Sequence, residues 1–179
     1  MPAIFRVRNS YLHSESFGMI SISFLLAVVI ACTKTGDSTA PSTGISYPAI
    51  DKTVMLKLVN DVRKKGCNCG DKYFSPAPPL TWNDQLEKAA VDHSNDMFQN
   101  KYFSHKDKKG NSAGKRIKNA GYNWSFYGEN IAEGYSDEKA AVAGWLKSPG
   151  HCGNIMSKVF KEMGAAKAGS YWTQTFGSK

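Results

Sequence analysis

Three features of the sequence predict an α+β fold. Apolar residues at 54, 55, 58, 59 and 62 recur with helical spacing and stop at Gly66. Leu86, Ala89, Ala90, His93 and Met97 form a second helical stripe. The chain then closes on two short runs, Met163–Ala168 and Tyr171–Phe176, separated by Gly169-Ser170, which is hairpin spacing. Helices followed by a small antiparallel sheet, with no strand–helix alternation, define the class.

The first residues stand apart from that domain. Arg6 and Arg8 precede a 13-residue apolar run, Met19–Ala31. A membrane span needs roughly 20 residues, so the run has the length and order of a secretory signal. It ends Val29-Ile30-Ala31-Cys32, which resembles the bacterial lipoprotein box. Residues 1–31 are therefore read as a lipoprotein signal peptide and Cys32 as the lipidated new N-terminus. An ordinary signal peptide with an incidental cysteine is the alternative. Residues 32–50 are rich in Ser, Thr, Gly and Pro, cannot bury enough apolar surface to fold, and read as a flexible tether. Residues 51–179 form the folded domain, and acyl chains on Cys32 would hold it at a membrane.

Removing residues 1–31 takes two positive charges and one negative, so the net charge falls from +8 to +7. Much of the excess lies in the glycine-broken run 106–118, Lys-Asp-Lys-Lys-Gly-Asn-Ser-Ala-Gly-Lys-Arg-Ile-Lys. No aromatic residue interrupts it to stack on bases, which argues against nucleic acid. A solvated basic loop is expected, with an anionic envelope polymer as the partner such a loop would meet.

The first helix covers Val54–Lys65 and is followed by Cys67-Asn68-Cys69-Gly70 and a proline-rich loop, 75–79. Thr81 and Asp84 have capping-box spacing for the second helix. His93 lies on that helix's apolar stripe and reads as a hydrogen-bonded core histidine. A short third helix falls within 110–121 and carries Arg116 and Ile117. A fourth covers Asp137–Leu146, with Ser136 as its N-cap candidate.

The candidate site comes from residues flanked by turns and aromatics. Glu129 follows Trp124, Phe126, Tyr127 and Gly128, where apolar walls would partly desolvate a carboxylate. His151 follows Ser148-Pro149-Gly150, a turn-forming run that would aim its ring from a loop end. His105 follows Tyr102-Phe103-Ser104, with Ser104 placed to orient it. These imidazoles and one carboxylate could line one cleft. Asn130 and Asn154 read as turn-stabilising side chains.

Four motifs, in this order, carry a family resemblance: Ser104-His105; Gly128-Glu-Asn-Ile-Ala132; Trp145-Leu-Lys-Ser-Pro-Gly-His-Cys-Gly-Asn-Ile-Met156; and Tyr171-Trp-Thr-Gln174. Together they resemble the CAP superfamily of cysteine-rich secretory proteins, antigen 5 and plant pathogenesis-related class 1 proteins. The wording is closest to the bacterial branch of SCP-like extracellular proteins. The resemblance implies an α-β-α sandwich, a small antiparallel sheet with about four helices on its faces. It matches His105 and His151 to the family's cleft histidines and Glu129 to the first of its two glutamates. The position of the second glutamate, three residues after Trp145, is Ser148 here.

Two imidazoles and one carboxylate could hold zinc or another divalent metal with a position left open. The absent second glutamate, and the lack of a His-Glu-x-x-His or Gly-x-Ser-x-Gly pattern, favour a non-catalytic binding module whose ligand is a metal, a small apolar molecule or an envelope fragment. A metal-dependent hydrolase of peptide or envelope material is the alternative. Beside Cys32, Cys67, Cys69 and Cys152 make an odd number in a disulfide-permitting compartment. Because related bacterial sequences carry a Cys-Gly where Cys69-Gly70 stands, resemblance pairs Cys69 with Cys152; Cys67–Cys152 stays open. A metal site at Cys67-Asn-Cys69 fits less well, since structural zinc sites favour a two-residue gap and a second pair. Thr33 after Cys32 resembles the sorting of outer-membrane lipoproteins. An exported, envelope-anchored monomer is expected, at the outer membrane or cell surface.

Overall fold

The computed structural model describes residues 50–179. The signal-like segment, Cys32 and all of the tether but Ile50 lie outside the described residues.

Asp51 caps helix α1, Lys52–Lys65, by accepting from the amides of Thr53 and Val54. Gly66 ends the helix at φ +75°, and a Cβ there would sit 2.7 Å from the Phe74 carbonyl oxygen. A hairpin not foreseen in the sequence follows: β1, Cys67–Cys69, pairs antiparallel with β2, Lys72–Phe74. The expected capping box at Thr81 is displaced, because Thr81–Trp82 form β3. Asn83 is the cap of α2, Asp84–Asn100, and accepts from the amides of Gln85 and Leu86. Helix α3, Ala113–Asn119, is capped by Ser112, and strand β4 runs Phe126–Glu133. Asp137, not Ser136, caps α4, Glu138–Lys147; the Ser136 hydroxyl donates to the Asp137 carboxylate instead. Strands β5, Glu162–Ala168, and β6, Tyr171–Ser178, turn at Gly169-Ser170 as the sequence predicts.

The Ser148-Pro149-Gly150 run is not a loop. It opens a fifth helix, α5, Pro149–Met156, with proline at its first turn, where a missing amide hydrogen costs nothing. His151 therefore sits in a helix, correcting the loop-end expectation.

The main sheet has the order β3-β5-β6-β4, and its short β3–β5 contact is parallel rather than antiparallel. Strand alternation divides the core into two layers. Trp172 and Phe176 of β6, with Met163 and Ala165 of β5, pack against Met55, Val59, Trp145, Ile155 and Met156 of α1, α4 and α5. On the other face Thr173 accepts from Ser94 at 2.9 Å and Thr175 donates to the Leu86 carbonyl at 2.8 Å, both across to α2. Helix α2 lies so close that a Cβ on Gly164 would fall 2.1 Å from the Glu87 amide nitrogen. Leu86, Ala89, Ile117 and Tyr122 fill the space between α2 and α3. Three layers, helix–sheet–helix, result.

Two arginines staple the layers. Arg63, fully buried, donates to the carbonyls of Pro78, Ile155 and Ser157, fixing the end of α1 to the end of α5. Burial pulls its guanidinium down to about 10. Arg116 performs the equivalent task on the opposite side.

Candidate functional site

Glu129 sits on β4 opposite Thr175, so its side chain points to the α2–α3 face of the sheet. It is 8% exposed. Its Oε1 lies 2.9 Å from His105 Nδ1, and its Oε2 accepts from Arg116 Nη2 at 2.5 Å. Burial pushes this carboxyl up, but the His105 hydrogen bond and the Arg116 charge outweigh that and hold it below the ordinary carboxylate range. An ionised carboxylate buried to this degree needs such partners.

His105 stands in the bend after α2 and is fixed through its backbone. Its carbonyl accepts from Arg116 Nη1 at 2.9 Å, and the same nitrogen donates to the Asn111 carbonyl at 3.0 Å. Ser104 orders the bend rather than touching the ring: its hydroxyl accepts from the Lys106 amide, and its carbonyl meets His93 Nε2 at 2.9 Å. His93 is fully buried and hydrogen-bonded, as the sequence indicated, and it supports the bend that presents His105. Burial holds its imidazole below the ordinary histidine value. His105 Nε2, also buried, meets no hydrogen-bond partner within the described chain.

Asn130, the next residue on β4, points to the α5 face. Its amide donates to the His151 carbonyl at 3.2 Å and to Gln174 Oε1 at 3.0 Å. Asn154 donates to Asn130 Oδ1 at 2.8 Å and to the Glu129 carbonyl at 3.2 Å. These asparagines are structural, but they join a strand to a helix and are not turn residues. They place the His151 backbone beside β4, with the imidazole 98% buried. Ser148, at the position of the missing glutamate, ends α4 and begins α5 and is itself buried.

Among the described residues, the group whose ligand atoms all lie within 4.8 Å of one another is Cys67, Cys69 and Cys152, not His105, Glu129 and His151. Each carboxylate oxygen of Glu129 has one of these partners, His105 Nδ1 on Oε1 and Arg116 Nη2 on Oε2. Arg116 is the site residue that sequence reasoning missed; it was read as part of a solvated basic run, yet it is 93% buried.

Cys69 and Cys152 form the disulfide, Cα–Cα 5.4 Å, tying β1 to α5 one residue beyond His151. Cys67 is the free cysteine. The lysines of the 106–118 run, Lys106, Lys108, Lys109, Lys115 and Lys118, are exposed, as expected.

The sequence and the architecture resemble those of known proteins. A "membrane protein YlbC" of Bacillus subtilis, itself described as uncharacterized, is 38% identical over 97 residues, covering 54% of this chain and 28% of that protein. The uncharacterized protein YkwD of the same organism is 32% identical over 145 residues, covering 80% of this chain and 52% of its own length. The chain thus spans about half or less of these relatives. An extracellular Bacillus anthracis protein containing a SCP domain superposes with TM-score 0.64 at 32% identity, over 71% of this chain and 40% of that one. An outer surface protein of Borrelia burgdorferi superposes with TM-score 0.59 over 73% of this chain and 97% of its own, at 22% identity, a likeness of fold alone. The model of the cysteine-rich secretory protein family matches residues 56–176, and this chain belongs to that family, CAP.

Proposed function

We propose that the chain is an exported, lipid-anchored CAP-domain module at the cell envelope that binds a ligand without turning it over. The observation that carries this reading is the state of Glu129, whose oxygens are both held by His105 and Arg116. A general base must reach a substrate proton through a free lone pair, and a metal ligand must offer one to the ion. Glu129 is buried and held ionised by these partners, its carboxyl below the ordinary range, which suits it poorly as a general base near neutrality, and Ser148 supplies no second carboxylate. The carboxylate instead fixes the His105 ring, which is 18% exposed and is the part of the network that a ligand would meet.

The exported, anchored location is supported by the apolar run ending at Cys32 and by the relatives described as extracellular, outer-surface and membrane proteins. Exposed lysines beside the site favour an anionic envelope polymer over a neutral ligand. A zinc-dependent hydrolase is the competing reading.

Calorimetric titration of the chain with zinc, beside a His105→Ala/His151→Ala double mutant, separates the two. No saturable zinc binding, with no cleavage of casein or envelope polymer in the presence of zinc, is the expected result. One-to-one zinc binding and zinc-stimulated cleavage, both lost in the double mutant, would overturn the non-catalytic reading.

A further inference from the structure

Cys67 and Cys69 are two apart on β1, so their side chains share one face of the strand. That face meets α5, and both thiol positions reach Cys152. Cys67 Sγ lies 3.6 Å from Cys152 Sγ and 4.0 Å from Cys69 Sγ. Three sulfurs thus occupy one site and share one bond.

We propose that this cluster is a thiol–disulfide exchange site in which the bridge to Cys152 migrates between Cys69 and Cys67. The Cys67 thiolate attacks Cys152 Sγ and forms the new S–S bond. The Cys69–Cys152 bond breaks, and its electron pair leaves on Cys69 Sγ. The proton lost by Cys67 is matched by one gained from solvent at Cys69. One disulfide and one thiol enter and leave, so the exchange needs no oxidant or reductant.

The near-equal distances put Cys67 Sγ beside the existing bond rather than behind it. Attack on a disulfide runs along the bond axis, so a side-chain rotation at Cys67 or Cys152 precedes each exchange. The migration also changes which thiol is left free. Cys67 is partly accessible, whereas Cys69 is 4% exposed. With the bridge on Cys69 the domain presents a thiol to small external disulfides; with the bridge on Cys67 it withdraws one. Because Cys152 adjoins His151, each bridge holds the start of α5 through a different residue of β1.

The test uses the full chain carrying Cys32→Ser, in which three cysteines remain. Protein purified at acid pH, where exchange is quenched, is shifted to mildly alkaline pH; burial pushes the Cys67 thiol up, so little thiolate forms at neutrality. Samples are alkylated at intervals with N-ethylmaleimide, and fragment spectra locate the label. The expected result is label on Cys67 at first, then a growing share on Cys69 with a matching Cys67–Cys152 cross-linked peptide, at a rate independent of protein concentration. Label confined to Cys67 at every time, or a rate proportional to concentration, would overturn the proposal. As an independent arm, a Cys32→Ser/Cys69→Ser chain with native circular dichroism should contain the Cys67–Cys152 bridge. Two free thiols in that folded chain would also overturn it.

Discussion

Removing the guanidinium of Arg116 tests the network at its centre. Arg116→Ala leaves the Glu129 carboxylate, with side-chain exposure of 3%, facing a void on one oxygen. It also strips the charged donor from the carbonyls of His105 and Asn111. Breaking a buried ion pair from one side costs about 3–5 kcal/mol, because the surviving charge stays buried. A domain of 130 described residues has a total stability of about 6–20 kcal/mol at roughly 0.05–0.15 kcal/mol per residue. The substitution should therefore remove a large part of it. Urea denaturation followed by tryptophan fluorescence reads the loss directly. The reasoning makes a stricter demand of the double variant: Arg116→Ala/Glu129→Gln, which no longer buries a charge, should be more stable than Arg116→Ala alone. Arg116→Lys should fall between, since one ammonium cannot serve the carboxylate and two carbonyls in the guanidinium's planar geometry. A loss below about 1 kcal/mol for Arg116→Ala, the value of an exposed pair, would refute the reading of Glu129 as a buried, cation-dependent charge.

Acid should act in two stages. Burial holds His93 below its ordinary 6.5, so the unfolded chain binds a proton that the folded chain refuses, and stability declines as pH falls below that value. Glu129, held below 4.5, contributes stability that is complete above that pH and is lost as pH falls through its folded value. Urea midpoints measured from pH 8 to 3 should show both stages, and His93→Gln should abolish the first; an unchanged slope near pH 6 in that variant would contradict the assignment. Gly164→Ala should destabilise by about 1–3 kcal/mol, because its new methyl group must push α2 off the sheet at Glu87; a thermal midpoint equal to the parent's would disprove that contact. Replacing Cys67 and Cys69 together by serine opens a connection spanning 83 residues and should cost about 4–5 kcal/mol on the chain-entropy model. Cys69→Ser alone should cost clearly less, since Cys67 can take its place, and equal losses would argue against that substitution of partners.

The parts of the fold readable from sequence are those where one periodicity acts over a long segment. The stripes of α1 and α2 and the two short runs that become β5 and β6 needed no tertiary context, and Gly169-Ser170 marked the hairpin between the last two. What failed was local punctuation. Asn83 and Asp137 displaced the neighbouring Thr81 and Ser136 as caps because a strand or a preceding turn set the helix starts. The Ser-Pro-Gly run carries the composition of a turn, yet proline at a helix's first position carries the same letters, and Trp145 and Ile155 packed into one core decide between the two.

The site was legible in its residues but not in its chemistry. His105, Glu129 and His151 could be singled out because motif order marks them, whereas their pairing depends on which face of β4 each approaches. Glu129 faces α3 and Asn130 faces α5, a one-residue alternation along β4. Arg116 was hidden inside a lysine-rich run, but the sequence held a clue to it. Of the 23 basic residues only four are arginines, and the two within the described chain, Arg63 and Arg116, are both buried on carbonyl or carboxylate partners. Lysine serves the surface, where a flexible point charge is enough. A guanidinium is needed where several acceptors from different elements must be held at fixed angles. An arginine set among lysines was therefore the mark of a buried junction, and Glu129, the carboxylate available in the adjoining motif, was its natural counter-charge.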